Sequence, residues 1–223
     1  MMFDGRQMGS QAAHGNPWRT RARAAGLVAV LATVLAPLAV PGADWTAVEA
    51  RAEAAVPDPC DFITSGGYVV TDSGRKANFG AHGGCKHGAF WGHLNYVDHS
   101  TGYHVNSVEV TAYIAPFGVA SPVRDVCGLA NTNNPNDPAQ VWFRARLMDN
   151  GEPGGLDQFG LKLSKQVDEG GFEAFYDVSP RDLGTARPGA GNVQLHDSNP
   201  STMLPAVLEY SACGGLFFGS PPE

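Results

Sequence analysis

Apolar residues at every second position, interrupted by Gly, Pro, Asn and Asp, constrain this chain more than any other feature. In segment 139–149, Val141, Phe143, Ala145 and Leu147 fall on one side of an extended chain, and Gln140, Trp142, Arg144 and Arg146 on the other. In segment 157–164, Phe159, Leu161 and Leu163 alternate with Gln158, Lys162 and Ser164. Side chains on a strand point alternately to opposite faces, so a period of two sorts apolar from polar groups only if the chain is extended. The residues between, Asp149-Asn150-Gly151-Glu152-Pro153-Gly154, supply positive φ and side-chain-to-backbone bonds, the chemistry of a turn. A β-hairpin follows, with Phe143, Leu147, Phe159 and Leu161 in the core. Its register is firm, because a slip by one residue would turn each apolar set toward solvent.

The same pattern predicts a second hairpin, 89–98 and 103–115 around Ser100-Thr101-Gly102, and further strands at 67–71, 76–80, 122–130, 172–178, 192–196 and 206–212. Segments 131–138 and 179–188 read as polar loops. About ten short strands with few helical periods and no fixed repeat predict an all-β fold, a single antiparallel β-sandwich or barrel.

The N-terminus bears on compartment. Arg19, Arg21 and Arg23 precede an apolar run of 17 positions, 24–40, broken only by Gly26, Thr33 and Pro37, and small residues follow at Pro41, Gly42 and Ala43. This is the layout of a secretory signal peptide. A retained anchor is the alternative, but a membrane span asks for about 20 apolar residues. The expected organisation is a signal peptide with a long n-region at 1–43 (Met8 being an alternative start), a linker at 44–59, one domain at 60–218 and a tail at 219–223. From Asp44 onward the chain has 11 basic and 21 acidic residues, a formal charge of −10. Such a balance disfavours nucleic acid and anionic lipid, which are negative themselves. About 180 mature residues are enough for one well-built core.

Four cysteines, Cys60, Cys85, Cys127 and Cys213, form an even set in an exported chain, so two disulfides are expected. None sits in a Cys-x-x-Cys pair, which leaves a zinc knuckle or a thioredoxin-like site without support. Of the three connectivities, Cys85–Cys127 with Cys60–Cys213 is the expected one, the second bridge tying the domain's ends together. The other two stay open.

Chemistry has few candidates. His93, His99, His104 and Asp98 surround the second hairpin, and His93 and His99 share a face if the strand continues. Imidazoles with a carboxylate would suit zinc, although the spacing matches no established ligand motif, and surface or loop histidines satisfying local hydrogen bonds are the plainer reading. Asp149, Glu152 and Asp157 offer hard oxygens for calcium, against the plainer reading of a turn without an ion. Trp91, and Trp142 flanked by Arg144 and Arg146, are candidates for stacking on a sugar or a partner's ring. The alternative for Trp142 is that both sheet faces are covered. No Gly-x-Ser-x-Gly elbow or P-loop occurs.

The run from Cys85 through Lys86-His87-Gly88-Ala89-Phe90-Trp91-Gly92-His93-Leu94-Asn95-Tyr96-Val97-Asp98 to His99 resembles the central block of the post-COAP domain, a bacterial extracellular family found after choice-of-anchor regions in surface proteins. Arg124-Asp125-Val126-Cys127-Gly128, the turn 149–154 with Asp157 and Phe159, and Gly191-Asn192-Val193-Gln194-Leu195-His196 extend the likeness over about 60–203. The resemblance implies an exported, noncatalytic module that binds an extracellular glycan or protein, or serves structurally, at the cell surface or in the medium. No resident cofactor is expected. A secreted hydrolase using a metal at the His-rich hairpin or a carboxylate pair is the alternative.

Overall fold

The structure, a computed structural model, describes residues 54–167, 171–205, 213, 214 and 216. The expected signal segment 1–43, the strand expected at 206–212 and the tail 219–223 lie outside the described residues. Nine strands follow one another: β1 (Phe62–Val70), β2 (Lys76–Lys86), β3 (Ala89–Asp98), β4 (Tyr103–Ile114), β5 (Val123–Thr132), β6 (Val141–Met148), β7 (Gln158–Gln166), β8 (Phe172–Asp182) and β9 (Gly191–His196). They form one antiparallel sheet in the order β8-β7-β6-β5-β4-β3-β2-β1-β9. The all-β expectation is met, and each neighbouring pair from β1 to β8 is consecutive in the chain.

The sheet curls. Phe79 on β2 stacks on Phe159 of β7 with ring centroids 3.9 Å apart, although four strands separate them in the ladder. Inward-facing residues of every strand meet in one core that includes Ile63, Leu94, Tyr96, Val126, Phe143, Leu147, Leu161 and Leu163. The β6–β7 hairpin pairs as its alternation predicts, Phe143 opposite Leu163 and Leu147 opposite Phe159, and Phe143, Leu147, Phe159 and Leu161 are all fully buried.

Two strands extend well past their expected ends. β1 begins five residues before position 67, and β2 runs on past Gly80 through Gly83 and Gly84, which read in sequence as punctuation. These two glycines allow close packing rather than ending the strand. A Cβ on Gly84 would lie 2.5 Å from Phe62 Cβ, and one on Gly83 2.7 Å from a Val126 methyl. β8 likewise continues to Asp182, taking four residues from the expected loop 179–188.

The longer β1–β2 hairpin corrects the disulfides. Phe62 pairs with Gly84, which carries Cys60 to Cys85; these two are bonded, with Cα atoms 6.0 Å apart. Cys127 is bonded to Cys213, Cα atoms 5.0 Å apart. The expected Cys85–Cys127 bridge is excluded by the pleat. Cys85 points into the main core, whereas Cys127 joins Ala112, Ile114 and Cys213 in a second cluster. The expected linker also ends early: Ala55 exchanges two backbone hydrogen bonds with Ala115, of 3.2 and 2.7 Å, and Val56 packs against the core.

Candidate functional site

One end of the curled sheet opens into a cavity of about 490 Å³. Three elements build it: the β3–β4 turn with Thr101, Gly102 and Tyr103, the β5–β6 loop with Asn133, Asn134 and Asp137, and β8 with Phe175 and Tyr176. Asp98 shapes the turn, its Oδ1 accepting the Ser100 N–H at 2.7 Å and the Ser100 hydroxyl at 2.6 Å. Gly102 takes φ 73°, a conformation open to glycine at little cost. Asn133 fastens loop to turn, accepting the His104 N–H at 2.9 Å and donating to Gly102 O at 2.8 Å. Asp137 gathers three donors: the Tyr103 hydroxyl at 2.5 Å, the Thr132 hydroxyl at 2.7 Å and Asn134 Nδ2 at 2.9 Å.

The rings of Tyr103 and Tyr176 lie 5.1 Å apart, and exposed Phe175 adds a third aromatic face. Behind Tyr176, its hydroxyl and that of Tyr96 are 2.7 Å apart. Burial, and then its hydrogen bond to Asp137, raises the Tyr103 phenol well above its usual range. Burial raises Tyr176 also, followed by its bonds to Tyr96 and Asp98, and lifts Tyr96 to about 12. All three phenols therefore stay protonated at neutral pH and present hydroxyl groups able to donate hydrogen bonds. Flat ring faces beside amides and a carboxylate suit a ligand with one apolar face and polar edges.

The residues expected to hold zinc do not converge. Asp98 pairs with Tyr103 and faces inward, buried, while His104 pairs with Val97 on the outward face. His99 sits in the exposed turn beyond the strand end. His93 stands on β3 opposite His82, a partner the sequence reading did not single out. No group of three His, Cys, Asp or Glu side chains placed to hold a metal ion occurs among the described residues.

The acids of the β6–β7 connection serve an edge. Asp157 Oδ2 accepts the Val193 N–H at 2.6 Å and its Oδ1 the Asn150 N–H at 2.8 Å; Asp149 Oδ2 accepts the Leu195 N–H at 2.8 Å. Glu152 accepts from Asn192 Nδ2 at 3.0 Å. These carboxylates occupy the free side of β9, whose other side pairs with β1. Gly154 allows the approach, since a Cβ there would meet Asn192 Oδ1 at 2.4 Å.

Arg144 and Arg146 are buried, not solvent-facing. Asp125, on the neighbouring strand, takes hydrogen bonds from both guanidinium groups, including 2.8 Å contacts from Arg144 Nε and Arg146 Nε. Arg144 also donates to Leu216 O, and Phe117 lies 4.8 Å from the Arg146 guanidinium. Trp142 is half-buried, with Gly214 against its ring and Phe172 edge-on at 6.0 Å. The covered-face reading of this strand is the one realised. Trp91 stays half-buried on the outward face, 5.1 Å from the His82 ring.

In sequence, position 103 reads as the start of a strand and 131–138 as a polar loop, and nothing singles out Asp137, Phe175 or Tyr176. Their convergence depends on the curl that brings β8 toward the β3–β4 turn, which no local pattern carries. No protein-family model, curated protein or solved structure matches the chain.

Proposed function

We propose that this chain is an exported, noncatalytic β module that binds an extracellular glycan in the cavity between Tyr103, Tyr176 and Phe175. The observation that carries the reading is the cavity itself: protonated phenols, ring faces and the Asn133–Asn134–Asp137 rim, held rigid by the hydrogen bonds that close the loop. A sugar offers what such a wall accepts, an apolar C–H face for the rings and hydroxyls for the rim. Disulfide bonding fits an oxidising compartment, the Arg-flanked apolar N-terminal run supports export, and the post-COAP resemblance supports a surface or secreted setting. The acidic balance argues against nucleic acid and anionic membrane as partners. The scaffold is best read as the barrel-type curl of one sheet rather than two stacked sheets.

Glycan-array screening of the oxidised domain, followed by calorimetry, tests the reading. A binder should emerge, and Phe175→Ala, which removes an exposed ring without touching the core, should weaken it at least tenfold. Binding that is indifferent to Phe175→Ala and Tyr176→Phe would move the ligand elsewhere, and a blank array would end the glycan reading.

A further inference from the structure

On the outward face of the sheet, away from the cavity, β2 and β3 carry a cross-strand pair of imidazoles. His82 and His93 are direct partners in the ladder, both half-buried, with ring centroids 6.2 Å apart and planes inclined at 44°. Directly opposed residues of antiparallel strands project to the same side, so the two rings share one patch of surface. Two imidazoles bound to one ion through metal–nitrogen bonds of about 2.0–2.1 Å place their centroids roughly 4.5 Å apart when cis, about 5.2 Å in a tetrahedral site and about 6.4 Å when trans. The observed separation lies at the wide end of that range, so side-chain rotation by about 1 Å brings the rings to tetrahedral spacing.

The surroundings favour ligation. His93 Nδ1 is 3.0 Å from Ser107 Oγ, an oxygen that also accepts the Leu94 N–H at 2.8 Å. With Nδ1–H donated to Ser107, the ring presents the lone pair of Nε2, which is how a neighbouring acceptor orients a ligating histidine. Gly80, two residues from His82 on the same face, leaves open space beside the pair, and Trp91 walls the other side.

We infer that His82 and His93 form a two-imidazole site for a borderline transition-metal ion, Cu²⁺, Ni²⁺ or Zn²⁺, whose other positions are left to water or an incoming donor. Nitrogen ligands without a carboxylate select these ions over Ca²⁺ and Mg²⁺, which take oxygen. The proposal replaces the ligand set expected from the hairpin sequence, sharing only His93 with it.

The test is a titration of the oxidised protein with Cu²⁺, read by calorimetry and by quenching of tryptophan fluorescence, with Ca²⁺ as the control ion. Saturable binding of one Cu²⁺ is expected, with quenching that disappears in Trp91→Phe. His82→Asn and His93→Asn should each weaken binding at least tenfold, and His99→Asn and His104→Asn should leave it unchanged. Equal affinity in the first two variants, or loss only in the second two, overturns the site. Should a variant unfold by near-ultraviolet circular dichroism, substoichiometric Cu²⁺ on the wild-type protein decides by NMR. The imidazole signals of His82 and His93 must broaden before those of the other histidines; any other order overturns the proposal.

Discussion

The most consequential side chains in this molecule are arginines that left the solvent. Arg124 is 1% exposed and is held by Asp61 through Nε and Nη2, while its Nη1 donates to Ser121 O at 2.6 Å and Val123 O at 2.8 Å. Tyr113 completes that cluster by donating to Asp61 at 2.6 Å. Asp125 is the shared anion for Arg144 and Arg146. A buried guanidinium without its anion is far costlier than one exposed, so Asp125→Ala should destabilise the fold by about 3–5 kcal/mol in urea melts. An effect under about 1 kcal/mol would mean that solvent reaches these arginines. His82 provides a second residue-scale prediction. Its pKa is lowered on folding, so the unfolded chain binds the proton more tightly. The contribution of neutral His82 is complete above its unfolded value, near 6.5, and declines as pH falls through its folded value. Melting temperature should drop across that acid window, and His82→Gln should flatten the drop.

Among the elements, strands were legible wherever apolar and polar residues alternate, and illegible where glycine removes the signal. β6 and β7 appear in the sequence nearly at their final bounds because Val141, Phe143, Ala145 and Leu147 leave one solution. The same strand shows what alternation hides: Trp142, Arg144 and Arg146 read as a polar, solvated face, yet β6 is buried on both sides. A pattern of two reports which residues share a face, not what later covers it. The β1–β2 hairpin failed differently, since Gly83 and Gly84 look like a turn until their neighbours are known, and the disulfide error followed from that shortened hairpin. The cavity was visible only as a loop composition, because Tyr103, Asp137 and Tyr176 come from three separate elements. Two element-scale predictions follow from the β6–β7 hairpin. Phe143→Ala should cost about 3–5 kcal/mol, as for other fully buried phenylalanines. Asp157→Asn presents an amide N–H₂ where Val193 or Asn150 offers an N–H, and should cost about 1–3 kcal/mol through an unsatisfied buried donor. Hydrogen exchange localises the second effect: protection should fall at Val193 and Leu195 on β9 and persist on β6.

At the scale of the whole molecule, the two bridges close very different loops. Cys60–Cys85 spans 25 residues within one hairpin and its lead-in, and Cys127–Cys213 spans 86, binding a late segment to the middle of the sheet. On the chain-entropy account these constrain the unfolded chain by about 3.5 and about 4.6 kcal/mol. Unreduced peptide mapping should find those two linked pairs and no free thiol; a Cys85–Cys127 peptide would contradict the fold. The longer bridge also sets an order of assembly. Synthesis runs from β1 to β9 before it delivers Cys213, Gly214 and Leu216, the residues that bond Cys127, pack on Trp142 and accept from Arg144. Until they arrive, the outer side of β5 and β6 is an unfinished wall with an unpaired thiol at its centre. A chain stopped after residue 205 should therefore show one titratable cysteine, and a nascent chain held at that length is the form most open to mispairing and to capture by an oxidoreductase.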